Sequence, residues 1–356
     1  MLYFIFKINI IKNNMKVFLY FQAQGIIRKS GIGRALYLQT KALKSAGVDI
    51  TLDIRDNFDI AHINTLWPKS HKIERFIKKQ NIPLIVHGHS IFSDMKNSFR
   101  MWQILSIFSK ISIKKCFKYA DAIITPTEYS KRIIESYKCV KCKVYAVSNG
   151  IDLKEYAYDD EKIELFKACF NIKDNKKVVI GIGIPFERKG ILEFFRIAKE
   201  FNDVTFIWFG DMAKICLPRK INKAIKNRPR NVIMPGYMDN DILKGALQYA
   251  SCFLFPTKEE TEGIVVLEAL ASYTPVLISN IPTYKEWLED GVNCYKANSI
   301  MEFINKLKFI LNNDNTTITK NGYEVVKERQ IEKIGLKLKA IYNEVYNEKK
   351  NKTLVK

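Results

Sequence analysis

The sequence predicts two parallel α/β domains, because short strand-like apolar runs alternate with helical patterns along all 356 residues. The length is sufficient for two domains that each bury a core. An apolar content of 47% and a charged content of 27% are typical of globular proteins and exclude a disordered chain. No apolar run approaches the roughly 20 residues that a membrane-spanning helix needs.

The first half contains five predicted strands, followed by a turn that marks a domain edge. The strands are 16–21, 60–63, 83–87, 122–126 and 145–147. A loop with Gly31 and Gly33 and then a helix at 35–46 follow the first strand. The turn is Asn149-Gly150-Ile151-Asp152. We divide the chain into an N-terminal extension at 1–14, a domain at 15–155, a domain at 156–322, and a C-terminal helix and tail at 323–356.

The second half repeats the alternation. Its predicted strands are 178–183, 204–209, 231–234 and 252–255. Its predicted helices are 192–201, 239–249, 263–272, 300–311 and a long polar helix at 324–347. Two similar α/β halves imply a cleft between them, which is where ligands usually bind.

The charge is strongly positive and unevenly distributed. The net charge is +21, and residues 1–155 hold 26 Lys and Arg against 11 Asp and Glu. Such a field attracts polyanions, either nucleic acid or an anionic membrane. A compositional bias towards Lys, Asn and Ile also raises the charge, but it does not explain the asymmetry. The sequence contains no recognised nucleic-acid-binding module, so we predict no nucleic-acid partner.

The sequence predicts reduced cysteines and no metal site. The seven cysteines are odd in number and scattered, which is typical of a cytoplasmic protein. Cys139 and Cys142 form a lone CxxC without a second pair. His87 and His89 follow a strand with the spacing of two metal ligands, but no third ligand is evident.

An acidic cluster follows the strand 252–255. Four glutamates lie between residues 259 and 268, and capping of a helix needs only one or two acids. Glu260 precedes the predicted helix and Glu268 lies on it among apolar neighbours, where a carboxylate needs a partner. Carboxylates bind sugar or ribose hydroxyls, and the amides near Gly263 can receive a phosphate at the helix start.

These two glutamates, eight residues apart, match the paired-glutamate motif of retaining family 4 glycosyltransferases. That resemblance implies the GT-B fold, in which two Rossmann-like domains with parallel sheets face each other across a cleft. A narrower resemblance is to bacterial 1,2-diacylglycerol 3-alpha-glucosyltransferases, the monoglucosyldiacylglycerol synthases. The segments that carry it are 87–99, 148–152, 185–191, 206–211 and 260–271.

The resemblance implies roles for individual residues. Glu268 holds the ribose, Glu260 binds hydroxyls of the donor sugar, and Lys189 neutralises the diphosphate leaving group. Where the wider family has an arginine after the strand glycine, this chain has Ile184, so we expect Arg188 to supply the second positive charge.

The remaining implied roles concern glycines and one histidine. His89 is the acceptor-side histidine. The donor-binding glycines are Gly31, Gly33, Gly183 and Gly263. Thr261 and Glu262 replace the usual glycine and phenylalanine, which puts the donor contacts of those two positions in doubt.

The resemblance also implies the reaction. The expected enzyme moves glucose from UDP-glucose to the 3-hydroxyl of 1,2-diacylglycerol with retention, giving alpha-monoglucosyldiacylglycerol at the cytoplasmic membrane surface. We expect no bound cofactor and no essential active-site metal, since no Asp-x-Asp motif lies in the expected catalytic loop. The alternatives are a polysaccharide or polyprenyl-linked acceptor, another nucleotide sugar, and a catalytically silent lipid-binding scaffold.

The segment 97–119 predicts the contact with anionic lipids. It combines aromatic and basic side chains in a helical pattern that suits a headgroup region. The predicted membrane-binding residues are Arg100, Trp102, Lys110, Lys114 and Lys118. The alternative is a core helix with a solvated basic edge. Residues 67–79 form a second basic patch with an aromatic residue, Trp67.

Overall fold

A computed structural model describes residues 15–22, 30–89, 91 and 102–354, and no side chain is described for Pro68, Trp102, Ile104, Leu105 or Leu354. The described residues form two compact units. The first comprises 15–22, 30–89, 91, 107–150 and 331–354, and the second comprises 102–106 and 151–330. The division falls after Gly150, whereas we placed the boundary after Glu155. The C-terminal helix belongs to the first unit and is not a separate tail.

Each unit contains one six-stranded sheet. The strands of the first sheet are β1 (Lys16–Tyr20), β2 (Asp49–Thr51), β3 (Ile60–Ile63), β4 (Leu84–His87), β5 (Ala122–Thr125) and β6 (Lys143–Ala146). Those of the second are β7 (Val178–Ile182), β8 (Thr205–Phe209), β9 (Val232–Gly236), β10 (Cys252–Phe255), β11 (Val276–Ser279) and β12 (Tyr295–Ala297).

The helices cover the faces of the sheets. In the described residues they are α1 (Gly31–Ser45), α2 (Pro68–Lys79), α3 (Trp102–Tyr119), α4 (Glu128–Glu135), α5 (Asp160–Phe170), α6 (Ile191–Ala198), α7 (Arg219–Lys226), α8 (Asn240–Tyr249), α9 (Ile264–Ala271), α10 (Ile300–Asn312), α11 (Thr316–Lys327) and α12 (Ile331–Leu354). No helix among them has both the length and the apolar character needed to cross a bilayer.

Both sheets are parallel throughout, as the alternation of strands and helices predicts. The first has the order β2-β1-β3-β4-β5-β6 and the second β9-β8-β7-β10-β11-β12. In the second sheet the strand order reverses between β7 and β10. Ligands of open α/β sheets bind beyond the carboxyl ends of the strands at such a reversal. The segments after β7 and β10 are therefore where a ligand is expected.

The core of the second unit lies on both faces of its sheet, because its central strands are buried on both sides. Trp208 and Phe206 of β8 pack with Phe194 of α6 on one face. Phe253 and Phe255 of β10 pack on the other face. Parallel strands covered on both sides are continuous apolar runs, which is why these strands were recognised from the sequence.

The C-terminal region differs from the single polar helix predicted at 324–347. It is two helices, α11 and α12, separated at residues 328–330, where the Ile151 amide donates to the Arg329 carbonyl at 2.9 Å. Helix α12 has a buried apolar stripe that packs in the first unit. Its residues are Ile331, Ile334, Leu338, Ile341, Tyr342 and Val345. Three short strands were also not predicted, namely β2, β11 and β12.

Candidate active site

An ion pair lies beyond the carboxyl ends of β7 and β10. The Nζ atom of Lys189, in the short 3-10 turn Glu187–Lys189, is 2.6 Å from Oε1 of Glu260. The Arg188 Nη1 atom lies 4.0 Å from the same oxygen and donates to the Glu259 carbonyl at 3.3 Å. The Glu260 side chain is only 7% exposed, so this attraction is weakly screened. The three predicted residues Lys189, Arg188 and Glu260 are thus brought together.

Two threonines orient Glu260. Thr257, fully buried, donates its hydroxyl to Glu260 Oε1 at 2.9 Å. Thr283 donates to the backbone carbonyl of Glu260 at 2.6 Å. The carboxylate therefore keeps one direction, and its Oε1 already receives two donors from the protein. Neither threonine was predicted, because an isolated threonine after a strand has no distinctive sequence signal.

The turn that carries Lys189 depends on Gly190. This glycine has φ of 83°, and a Cβ built on it would lie 2.0 Å from the Pro256 carbonyl oxygen. The turn is also tied to the loop after β10, since the Lys258 amide donates to the Arg188 carbonyl at 2.7 Å. Gly183 has φ of 153°, and its built Cβ would contact the Lys189 side chain at 3.9 Å. The close approach of the two loops therefore requires glycine at position 190, and at position 183 glycine is favoured by the positive φ alone.

Helix α9 begins after Gly263, which has φ of 83°. A Cβ on Gly263 would lie 2.7 Å from the hydroxyl of the fully buried Tyr284, so the helix start is closely packed. Glu268, predicted to bind ribose, lies in the second turn of α9 and is 6% exposed. Its burial supports the prediction that this carboxylate has a specific partner rather than a solvated position.

Glu262 replaces the phenylalanine that is usual in the family and is nevertheless buried, at 1% exposure. Its compensation comes from Arg329. Burial lowers the pKa of Arg329, and the Glu262 charge opposes that shift, which places the two charges near each other. The Arg329 guanidinium also lies 4.6 Å from the centre of the Trp287 ring. Glu262 therefore lies near the half-buried guanidinium group of Arg329.

His89, the predicted acceptor-side histidine, follows β4 in the first unit. Its Nε2 lies 3.2 Å from Oδ1 of Asn64, which follows β3. A carbonyl oxygen only accepts, so Nε2 carries the proton and Nδ1 is the acceptor. The His89 ring stacks on the His87 ring at 3.7 Å between centroids. Asn64 and His87 therefore hold the ring from its edge and its face.

Behind His89 lies a buried chain of neutral donors and acceptors. His62 Nδ1 accepts from Gln39 Nε2 at 3.0 Å and lies 2.6 Å from the hydroxyl of Tyr342 on α12. His62 Nε2 therefore carries a proton and donates to His87 Nδ1 at 3.2 Å. The sequence signal for this hydrogen-bonded series is a histidine within each of the apolar strands β3 and β4. We did not predict a role for His62 from that signal.

Burial keeps all three rings uncharged. It lowers the pKa of His62 and of His89 to about 3 each, and that of His87 well below its ordinary value. The charge that each of the other two rings would carry lowers the pKa of His87 further. A neutral His89 therefore does not supply a positive charge.

Gly31 and Gly33 lie in the first turn of α1 and not in the loop before a helix, so that prediction was wrong. The helix begins four residues earlier than predicted, because Ser30 caps it and its hydroxyl accepts from the Gly33 amide at 3.4 Å. The Gly33 amide therefore already has a partner in the protein. Gly31 has open space around it, with no atom within 4 Å of a built Cβ.

The predicted membrane-binding residues are described in part. Lys110, Lys114 and Lys118 are exposed on α3. Arg100 and the side chain of Trp102 lie outside the described residues. The predicted cleft between the domains and the ligand roles assigned to all these residues remain predictions.

Two family models cover most of the chain. The family described as Glycosyl transferases group 1 matches residues 162–325, and the Glycosyltransferase Family 4 model matches residues 50–155. The first match includes the Lys189–Glu260 pair and Glu268, and the second includes His89. His89 of the first unit and the predicted donor residues of the second unit thus fall within matched regions.

One relative of this chain is the processive diacylglycerol alpha-glucosyltransferase of Acholeplasma laidlawii. It is 47% identical over 93% of this chain and 98% of its own length. Two solved structures share the fold at 16% identity. The first is the sucrose-phosphate synthase of Thermosynechococcus elongatus, with a TM-score of 0.78 over 94% of this chain and 99% of that one. The second is Anabaena HepE in complex with UDP-glucose, with a TM-score of 0.73 over 92% of this chain and 99% of that one.

These matches agree with the two parallel sheets and with the resemblance of Glu260 and Glu268 to the paired-glutamate motif of family 4 glycosyltransferases. Two six-stranded parallel sheets, each with helices, are the domains of the GT-B fold. The chain is a glycosyltransferase and belongs to glycosyltransferase family 4.

Proposed function

We propose that this glycosyltransferase moves glucose from UDP-glucose to the 3-hydroxyl of 1,2-diacylglycerol with retention of configuration, at the cytoplasmic surface of the membrane. The observation that carries the proposal is the 47% identity, over 98% of its length, to a processive diacylglycerol alpha-glucosyltransferase. A match of that extent covers the residues of both units, including His89 and the Lys189–Glu260 pair.

The second unit binds the donor in this proposal. Lys189 and Arg188 neutralise the diphosphate as the bond to the sugar breaks, which is where negative charge develops. Glu260 accepts hydrogen bonds from sugar hydroxyls, and Glu268 accepts from the ribose. The arrangement supports these roles because the cations and Glu260 lie together beyond the reversal point of the sheet, within 2.6 to 4.0 Å. A UDP-glucose complex is also known for HepE, which shares the fold.

The acceptor is recognised by the first unit. We assign His89 to the acceptor side, where its neutral ring would orient a hydroxyl through Nδ1. The name of the A. laidlawii relative includes the word processive, which favours a second transfer onto the first glucolipid product. Diglucosyldiacylglycerol is therefore a second expected product, formed after the monoglucosyl lipid.

Helix α3 supports docking to an anionic membrane. Ile107, Phe108 and Ile111 are 59%, 66% and 46% exposed, beside the exposed lysines of the same helix. A core helix with a solvated edge would bury these apolar residues, and α3 instead buries a separate face that includes Ile113 and Phe117. Exposed apolar side chains beside lysines suit a headgroup region.

The proposal can be tested by incubating the purified protein with labelled UDP-glucose and with vesicles that contain diacylglycerol in anionic phospholipid. We expect labelled monoglucosyldiacylglycerol first and the diglucosyl lipid later. UDP-galactose, polyprenyl phosphate and a soluble glucan should each give little product. Preferential labelling of polyprenyl phosphate or of the glucan would refute the diacylglycerol assignment, and faster transfer from UDP-galactose would refute the glucose assignment. We also expect a chelator to leave the rate of transfer to a short-chain diacylglycerol unchanged when no vesicles are present, since no active-site metal is expected to take part.

A further inference from the structure

Three potential metal ligands converge between α2 and α3, outside the site described above. His71 and Glu74 lie one turn apart on α2, and Cys116 lies on α3. Their ligand atoms all lie within 4.8 Å of one another. His71 Nδ1 is 3.4 Å from Glu74 Oε2 and 3.6 Å from Cys116 Sγ.

These separations match a tetrahedral zinc centre. With Zn–N and Zn–O bonds of about 2.0–2.2 Å and Zn–S bonds of about 2.3 Å, tetrahedral angles place N and O about 3.3 Å apart and S and N about 3.6 Å apart. The distances from His71 Nδ1 to the carboxylate oxygen and to the sulfur therefore match those of a tetrahedral zinc centre, and all three ligand atoms lie within 4.8 Å of one another. Thiolate, imidazole and carboxylate ligands together favour zinc over magnesium or calcium, which prefer oxygen ligands alone.

The hydrogen bonding of His71 leaves the correct nitrogen available. Its Nε2 lies 3.1 Å from the Ser112 hydroxyl, which donates its own proton to the Leu66 carbonyl. Nε2 must therefore donate to Ser112, and the lone pair of Nδ1 faces Glu74 and Cys116. Metal-binding histidines are usually oriented by a hydrogen bond of this kind at the second ring nitrogen.

The burial of Glu74 is the second observation that indicates a cation. Glu74 is 1% exposed and Cys116 is fully buried. Among the described residues, no hydrogen-bond partner is found for Glu74 Oε1. Its Oε2 lies 3.4 Å from Nδ1 of His71, which carries no proton in this tautomer and therefore does not compensate the carboxylate charge. A buried carboxylate oxygen without a partner costs free energy, which a bound cation would offset.

We propose that His71, Glu74 and Cys116 form a zinc site that cross-links α2 and α3. Three protein ligands leave the fourth position for water, which can enter beside His71, whose side chain is 18% exposed. Both helices carry exposed apolar or aromatic residues, including Phe76 on α2 and Phe108 on α3. The ion would therefore fix the relative positions of the two helices proposed to contact the membrane.

Cobalt substitution of the full-length protein tests the site directly. The purified protein is treated with a chelator, transferred to chelator-free buffer and titrated with Co²⁺. We expect a thiolate-to-cobalt charge-transfer band in the near ultraviolet and tetrahedral bands in the visible, which saturate at about one equivalent. Zinc should remove these bands on addition and raise the Tm of the stripped protein by several degrees.

Matched variants identify the ligands. Cys116→Ser and His71→Gln should each lose the charge-transfer band or reduce it strongly, and zinc should no longer raise their Tm. The Cys139→Ser/Cys142→Ser and Cys169→Ser variants should retain both responses, because those thiols lie elsewhere. If Cys116→Ser does not fold by circular dichroism, Glu74→Gln provides a nearly isosteric replacement, and it should weaken cobalt binding at least tenfold.

Two results would overturn the proposal. One is the absence of a charge-transfer band in stripped wild-type protein that remains folded. The other is a band that survives in His71→Gln and Glu74→Gln but disappears in the Cys139→Ser/Cys142→Ser variant, which would assign the metal to the CxxC pair.

Discussion

At the residue scale, the central feature is the ion pair between Lys189 and Glu260. We assign Lys189 to the diphosphate leaving group and Glu260 to the sugar, which lie on either side of the bond that breaks. Lys189 is only 17% exposed and pairs with Glu260 at 2.6 Å. Removal of one partner of a half-buried or buried pair leaves the other uncompensated, which costs stability as well as activity. Single substitutions must therefore be compared with a double substitution.

We predict that Lys189→Met lowers kcat/KM by about 10²- to 10³-fold, because one stabilising charge at the leaving group is lost. The same variant should lose thermal stability. The double variant Lys189→Met/Glu260→Gln should regain most of that stability without regaining activity. Steady-state kinetics and thermal unfolding of the wild type and both variants check this. Activity near the wild-type level in Lys189→Met would contradict the role of this residue in catalysis.

A second prediction concerns the orientation of His89. Replacement of Asn64 by Asp puts a carboxylate 3.2 Å from Nε2, where the amide oxygen is now. That charge should raise the pKa of His89, so the ring becomes protonated and Nδ1 no longer accepts at mildly acidic pH. The activity of Asn64→Asp should therefore fall as pH drops from 8 to 6, by more than that of the wild type. Identical pH profiles would exclude a role for the neutral ring.

At the element scale, the C-terminal helix α12 completes the first unit. Its Gly335 packs so closely on α1 that a built Cβ would lie 1.9 Å from the Ala42 carbonyl oxygen. The Lys339 ammonium of the same helix donates to the Ala46 carbonyl at 3.0 Å. Tyr342 reaches the buried His62. The helix therefore supports strands β3 and β4, the second of which precedes His89.

We predict that Gly335→Ala destabilises the protein. Alanine gains up to about 1 kcal/mol in helix propensity, but overpacking costs typically about 1–3 kcal/mol. Gly31→Ala is the matched control, since it adds the same methyl group to a helix with no atom within 4 Å. Urea unfolding checks both variants. Equal free energies of unfolding for Gly335→Ala and Gly31→Ala would show that α12 tolerates displacement from α1.

Most strands, and the charged residues Lys189 and Glu260, could be predicted from the sequence because they depend on the pattern of neighbouring residues along the chain. The apolar runs of β3 and β10 were predicted with their observed bounds, and Glu260 and Lys189 follow strands in recognisable segments. The break between α11 and α12 was not predictable, since no proline or glycine marks residues 328–330 and the cause is a contact with Ile151. Thr257 and Asn64 were missed for a similar reason, because their importance arises from tertiary hydrogen bonds.

At the scale of the whole molecule, two properties follow from groups that act together. One is the effect of the neutral histidines on stability. The folded rings of His62 and His89 have a pKa of about 3, whereas an unfolded histidine titrates near 6.5. Below about pH 6.5 the unfolded state therefore binds more protons than the folded state, and stability falls as the pH decreases.

We predict that the free energy of unfolding is highest above about pH 6.5 and falls progressively towards pH 3. Carboxyl groups with ordinary pKa values titrate below about pH 4.5, so the histidines contribute most of the change between pH 6.5 and 4.5. Burial raises the pKa of Glu74, which contributes in the opposite direction. Urea unfolding across this interval checks the slope, and His62→Gln should make it shallower. An unchanged slope in that variant would assign the pH dependence to other groups.

The other collective property is attraction to anionic membranes. Lys110→Gln/Lys114→Gln/Lys118→Gln should weaken binding to anionic vesicles by on the order of 100-fold at low salt, since each lysine contributes about 1 kcal/mol. The difference should shrink as salt rises. The matched control changes three exposed lysines of the second unit to glutamine. These are Lys199, Lys223 and Lys226. Equal losses in the two variants, measured by vesicle sedimentation, would show that net charge and not α3 directs docking.

The central claim is retaining transfer of glucose to diacylglycerol. Its most direct test is proton NMR of the glucolipid that the purified protein makes from UDP-glucose and diacylglycerol vesicles. We expect an α-anomeric glucose on the 3-hydroxyl of the glycerol, and at least about 100-fold less of this product from Lys189→Met. A β-anomeric product, or a glucose attached to any acceptor other than diacylglycerol or its glucoside, would contradict it.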